Sequence, residues 1–236
     1  MNKLVYISTL IIVFWMTINN CYSQSFTFSS AGSTKIEIKF NSKLKPLLDG
    51  LNYKELQSLF KQDPKIVNQA SVKYSGYYNE IKKAMLHDVF DECMTGKYPI
   101  EMLKFILQNG ADPYIEYMDL PILYRLMNYI AENPISKCSK AVEIFNLLST
   151  DSNIDFSRQH RDLLPPFAYL LRKNFDFLNG KYDVNYIPQS IIITFIKKGV
   201  NVNTFDQEGN NVLTYAIQTH NTQIQQFLFE NSINAE

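Results

Sequence analysis

Between Asp206 and Asn231 the chain carries two short apolar-periodic segments back to back, and no other stretch constrains its fold as much. Val212, Leu213, Ala216 and Ile217 recur at helical spacing in the first, and Ile224, Phe227 and Leu228 in the second. The polar Thr219-His220-Asn221-Thr222 separates them. Gly209 stands just ahead, where a tight turn needs a residue without a Cβ. Helices of about ten residues are marginal alone in water, so each must be stabilised by packing on neighbours. Such a pair reads as one repeat unit.

The same residues resemble an ankyrin repeat. Asp206, Gly209, Leu213 and Ala216 fall on the positions of the family's Asp-x-x-Gly-x-Thr-Pro-Leu-His-x-Ala pattern, and Phe227 and Leu228 on its Leu-Leu positions. Val212 replaces the proline and Thr214 the histidine. Gly199-Val-Asn201-Val-Asn203 is similar to the Gly-Ala-Asp-Val-Asn turn that closes a preceding unit.

Other units can be traced upstream. Leu44, Leu47, Leu48, Leu51, Leu56, Leu59 and Phe60 predict a short helix pair suited to a degenerate terminal cap. Ala84-Met85-Leu86-His87-Asp88-Val89 resembles the family's first-helix start, with Leu86 and His87 on family positions. Its second helix carries Met102, Leu103, Phe105 and Ile106 and ends in Gly110-Ala111-Asp112. A third unit runs from Leu120-Pro121 through Leu148 to the turn Asp151–Asp155. A fourth runs from Pro165-Pro166-Phe167 to Gly199, with an insertion over Asn174 to Pro188. The string Ile191 to Ile196 is sheet-like by propensity and in this context predicts a buried second helix. Only the interval from Gly199 to Asn231 fits the family's period of roughly 33 residues. A solenoid of longer, non-ankyrin helix pairs is the alternative. The expected fold class is all-α: an ankyrin-type helical-pair solenoid of about five divergent repeats over residues 43–236.

Ahead of this domain, residues 1–23 read as a signal peptide. Lys3 gives the positive start and Leu4 to Met16 the apolar run, which is shorter than the roughly 20 residues a bilayer span takes. Cys21 and Ser23 place small residues for a cut before Gln24. Export to a periplasm or the exterior follows, with no membrane span after cleavage; lipid attachment at Cys21 is the alternative. Residues 24–42 read as a linker or extended arm with one strand-like alternation, Lys35 to Phe40. Cys93 and Cys138 then remain, either as one disulfide or, as we expect, as two separately buried thiols.

Composition excludes some functions. Lys+Arg and Asp+Glu are both 23, so the net charge is zero, and no general basic field is present for nucleic acid. Gly, at 8, is low for a phosphate-cradling fold, and no catalytic or nucleotide-binding motif occurs, so no enzyme, cofactor or metal is expected. His87 and Asp91 have the i, i+4 spacing of two metal ligands, which keeps a metal-binding or enzymatic helical domain as an alternative. The acids around them read as a solvated helix face, and the resemblance makes His87 structural.

The resemblance implies a monomeric protein-binding scaffold that uses its turns and first helices. Carried over by position, its partner-binding residues are Tyr114, Glu116, Tyr117, Gln207, Glu208, Asn210, Gln218 and Thr219. Tyr114 and Tyr117 are the expected anchors, because tyrosine offers ring and hydroxyl at little rotamer cost. The partner is another protein of unknown identity. An envelope immunity or protective role, neutralising a toxin, is a further alternative.

Overall fold

The computed structural model describes residues 26–29, 35–40, 42–75, 80–178 and 187–232. The expected signal segment, and residues 179–186 of the expected insertion, lie outside them. The described residues are mostly helical. The chain divides into two compact units, Met1–Met85 and Leu86–Glu236.

The first unit contains an antiparallel sheet, which the all-α expectation did not include. Its strands are β1 (Phe26–Ser29), β2 (Lys35–Phe40), β3 (Ala70–Ser75) and β4 (Glu80–Ala84), hydrogen-bonded in that order. The alternating β2 run therefore has partners on both sides: Ile38 stands opposite Phe26 on β1 and Tyr74 on β3. The 24–42 stretch thus contributes two strands where a linker or arm was expected. Its long-range partner lies some thirty residues on by chain order, beyond the reach of local pattern.

Between β2 and β3 run α1 (Leu44–Asp49), α2 (Tyr53–Gln62) and a 3-10 turn, Pro64–Asn68. The Asn52 side chain caps α2 by accepting from the Glu55 N–H at 3.2 Å, and Asp63 accepts from the Lys65 N–H at 3.1 Å. Leu44, Leu48, Leu56 and Phe60 are buried as their spacing predicts, whereas Leu47 and Leu59 are half-buried and Leu51 is exposed. α1 packs on α2 and on β3, so this pair belongs with the sheet rather than with the later helix pairs.

The second unit is built of eight helices among its described residues. They are α3 (Met85–Thr95), α4 (Ile100–Gln108), α5 (Ile122–Glu132), α6 (Ser139–Thr150), α7 (Pro166–Leu178), α8 (Gln189–Lys197), α9 (Val212–Gln218) and α10 (Thr222–Ser232). From α5 to α10 the contacts follow an alternating rule. α5 packs on α7 and α7 on α9, while α6 packs on α8 and α8 on α10; α5 also meets α6, and α9 meets α10. First and second members of successive pairs thus form two series.

Short helices hold together here because they bury their apolar side chains against neighbouring elements. A cluster of aromatic rings joins α6, α7 and α8: Phe195 stacks on Phe167 with centroids 4.9 Å apart, and Phe145 and Phe156 meet it at 5.3 and 5.6 Å. Ile191, Ile192 and Phe195 are buried on α8, so the β-branched run is a buried second helix. At Gly110 and Gly209 the backbone takes φ of +90° and +80°, which only glycine adopts without strain. Asn211 and Thr214 form a reciprocal capping box at the start of α9.

Candidate functional site

Three loops connect successive pairs of the second unit: 109–121, 151–165 and 198–211. Each is shaped by a repeated local device, in which an Asp or Asn side chain accepts a hydrogen bond from the backbone two residues on. Asp112 accepts from the Tyr114 N–H at 2.8 Å, Asp151 from Asn153 at 2.9 Å, Asn201 from Asn203 at 2.9 Å and Asp206 from Glu208 at 2.9 Å. The first loop also forms a small hairpin, with backbone bonds between Tyr117 and Leu120. Its two tip residues, Met118 and Asp119, both have positive φ, at 54° and 63°. Such a turn matches the twist of its strands but is strained for a side chain as bulky as methionine. Met118 is 66% exposed.

The first loop is anchored from α3. His87 is fully buried. Its Nε2 lies 2.7 Å from the Ile115 carbonyl and its Nδ1 3.2 Å from Arg125 Nη1. A carbonyl only accepts and a guanidinium only donates, so the proton sits on Nε2 and Nδ1 accepts. Arg125 is paired with Asp91 at 2.7 Å and lies over the Tyr117 ring at 5.0 Å. The His87–Asp91 pair is therefore joined through arginine. Among the described residues no group of three or more His, Cys, Asp and Glu could hold a metal ion. Asp88 is buried as well, which corrects the expected solvated acidic face: Met85, Leu86, Val89, Phe90 and Cys93 are buried too, so α3 is covered around most of its circumference.

The first two loops are then tied to each other. The Tyr114 hydroxyl donates to the Asn153 carbonyl at 3.1 Å and accepts from the Asp155 N–H at 2.7 Å. Glu116 pairs with Arg161 and lies 3.4 Å from His160 Nε2, while Arg161 also reaches Asp119 at 3.4 Å. Beneath them the Tyr124 hydroxyl accepts from the His160 N–H at 3.1 Å and donates to the Leu164 carbonyl at 2.8 Å. Burial pushes the Tyr124 phenol up to about 12, so it remains a neutral donor at any physiological pH. Between the loops lies a half-open cleft of about 120 Å³.

The third loop is braced by Asp206, whose side chain is 4% exposed. It accepts from the Glu208 and Asn210 N–H groups and from the Tyr215 hydroxyl, and it meets Arg172 of α7 at 3.2 Å. Burial works to raise its pKa, but the hydrogen bonds from Tyr215, Asn210 and Glu208 outweigh it and hold the carboxyl at about 2. Burial, with the bond to Asp206, pushes the Tyr215 phenol well above its ordinary range. Arg172 also pairs with Glu208 at 2.5 Å.

The eight expected partner-binding residues therefore divide. Gln207, Glu208 and Gln218 are exposed, although Glu208 shares Arg172. Tyr114, Glu116, Tyr117, Asn210 and Thr219 are half-buried. Tyr117 is packed against Arg125 and, at 5.8 Å, His87; the Thr219 hydroxyl donates to the Tyr215 carbonyl at 2.8 Å. The two tyrosines read as anchors for a partner thus also anchor the loops. Exposed Met118 and Arg158 were missed, since nothing in their sequence context marks them. Cys93 and Cys138 are separate, buried thiols, and burial pushes Cys93 up to about 12.

Compared with known proteins, the chain matches no family model, and no curated sequence is similar to it. No helix among the described residues is long and apolar enough to cross a membrane.

Proposed function

We propose that the chain is an exported, protein-binding scaffold whose later helix pairs form a divergent ankyrin-type solenoid, with the three loops as its recognition surface. The observation that supports this best is the bracing of those loops. Tyr114 ties the first to the second, and Arg172 ties the third to α7, while the tips at Met118 and Gln207 remain exposed. A surface held in shape before its partner arrives loses little conformational entropy on binding, which is what a recognition loop needs. The alternating helix series supports the solenoid reading, and Lys3, the Leu4 to Met16 run and Ser23 support export.

Affinity capture with the mature chain from its native envelope fraction tests the reading. One stoichiometric protein partner is expected, lost from a Met118→Arg/Gln207→Arg double variant whose thermal unfolding matches the wild type. No partner, or one retained equally by the variant, contradicts it.

A further inference from the structure

The chain has four arginines, and three of them are spoken for by carboxylates. Arg125 pairs with Asp91, Arg161 with Glu116 and Asp119, and Arg172 with Asp206, Glu208 and, at 3.8 Å, Asp176. Arg158 is different. Its guanidinium lies flat against the Tyr114 ring, 3.9 Å from the centroid, and its side chain makes no hydrogen bond or ion pair among the described residues. Its backbone N–H and its charge both act on Asp155, but that carboxylate is already bonded to the Ser157 N–H and hydroxyl and makes no ion pair with the guanidinium.

Arg158 also lines the cleft between the first two loops, with Pro113, Pro121, Ile122 and Ile154 as apolar walls. The ring it rests on is fixed, because the Tyr114 hydroxyl is held by the backbone at both Asn153 and Asp155. A planar fork of donors is thus held at the mouth of a small cleft without an acceptor, and the rotamer entropy of positioning it is already spent.

Resting on the scaffold reading of these same loops, we infer that the cleft takes a carboxylate side chain of the protein partner, a glutamate or aspartate. The carboxylate oxygens meet Arg158 side by side and the methylene stem lies against the proline and isoleucine walls. The apolar walls favour a carboxylate side chain over a free phosphate. Glu116 is neutralised by Arg161 and Asp155 offsets part of the Arg158 charge, so the local field is weak, and only a ligand with a methylene stem gains from the proline and isoleucine walls. A bidentate arginine–carboxylate pair also supplies geometric selection that a point charge lacks.

The test is an NMR titration of the full mature chain, labelled with 15N at arginine, against N-acetyl-glutamate methylamide. The neutral glutamine analogue and inorganic phosphate serve as comparisons. A saturable shift of the Arg158 Nε–H with the glutamate compound is expected, absent with the glutamine one and weaker with phosphate. Followed in uniformly 15N-labelled chain through the backbone amides of Tyr114 and Asp155 in the cleft lining, which both variants keep, saturable binding should be abolished by Arg158→Gln and weakened about tenfold by Arg158→Lys, since a fork is replaced by a point charge. Both variants should keep the wild-type melting temperature. No saturable shift, or an equal response to phosphate, overturns the carboxylate site. So does a captured protein partner that Arg158→Gln binds as tightly as wild type does, which leaves the scaffold reading standing.

Discussion

The first and third loops of the second unit occupy the same place between helix pairs, yet they are braced by different means. Loop 198–211 is shaped from within: Asp206 gathers two backbone N–H groups and the Tyr215 hydroxyl, all within nine residues, and only Arg172 comes from another pair. Loop 109–121 is shaped from outside. His87 holds it from α3, and the second loop holds it through Tyr114 and Glu116 across about forty residues of chain. A self-braced loop can be read from a local motif, whereas a cross-braced one exists only once its neighbours have packed. The cross-braced loop also lines a cleft.

Breaking the external anchor has the largest expected effect. His87→Ala removes a fully buried ring and leaves the Ile115 carbonyl and the Arg125 guanidinium short of partners, so a loss of about 3 kcal/mol is expected from chemical denaturation. Loss of ordered signals over 109–121 should accompany it. A change within a few tenths of a kcal/mol would mean that the loop shapes itself.

Next comes the internal brace. Asp206→Asn keeps the shape but removes the charge facing Arg172 and two N–H donors, with an expected cost of about 2 kcal/mol in thermal or chemical unfolding. Its pH dependence has a definite sign. The folded carboxyl, at about 2, lies below the ordinary carboxylate value of about 3.9, so its stabilisation is complete above that value. It is lost as pH falls from about 4 through 2. Wild type and variant should therefore converge in acid; parallel curves would refute the assignment.

The smallest effect belongs to the link between loops. Tyr114→Phe keeps the ring under Arg158 and removes only the hydroxyl that joins Asn153 and Asp155, at partly exposed positions. About 1 kcal/mol is expected, with faster hydrogen exchange at the Asp155 amide. An unchanged exchange rate would separate the two loops.

Legibility follows the same division. Asp206 and Gly209 were legible because the turn they shape closes on backbone groups within four positions, and His87 was legible as a scaffold histidine from its place in a helix start; the Tyr215 and Arg172 partners of Asp206 were not. The sheet was not. β2 showed its alternation, but β3 and β4 lie beyond two helices, where nothing local marks them as its partners. In the same way Tyr114 and Tyr117 carried the residue type of binding anchors, while their intramolecular partners, Asp155 and Arg125, come from other pairs. What was missed depends on packing at long range.

The central claim is that the loop tips, rather than the second helices, meet another protein. Site-specific photo-crosslinking in intact producing cells tests it, with a benzophenone side chain placed singly at Met118 or Gln207 and, as comparison, at Asn146 of α6 or Gln226 of α10, all exposed. The account predicts one and the same protein adduct from both tip positions and none from the helix positions. Adducts from Asn146 and Gln226, with none from Met118 and Gln207, would contradict it.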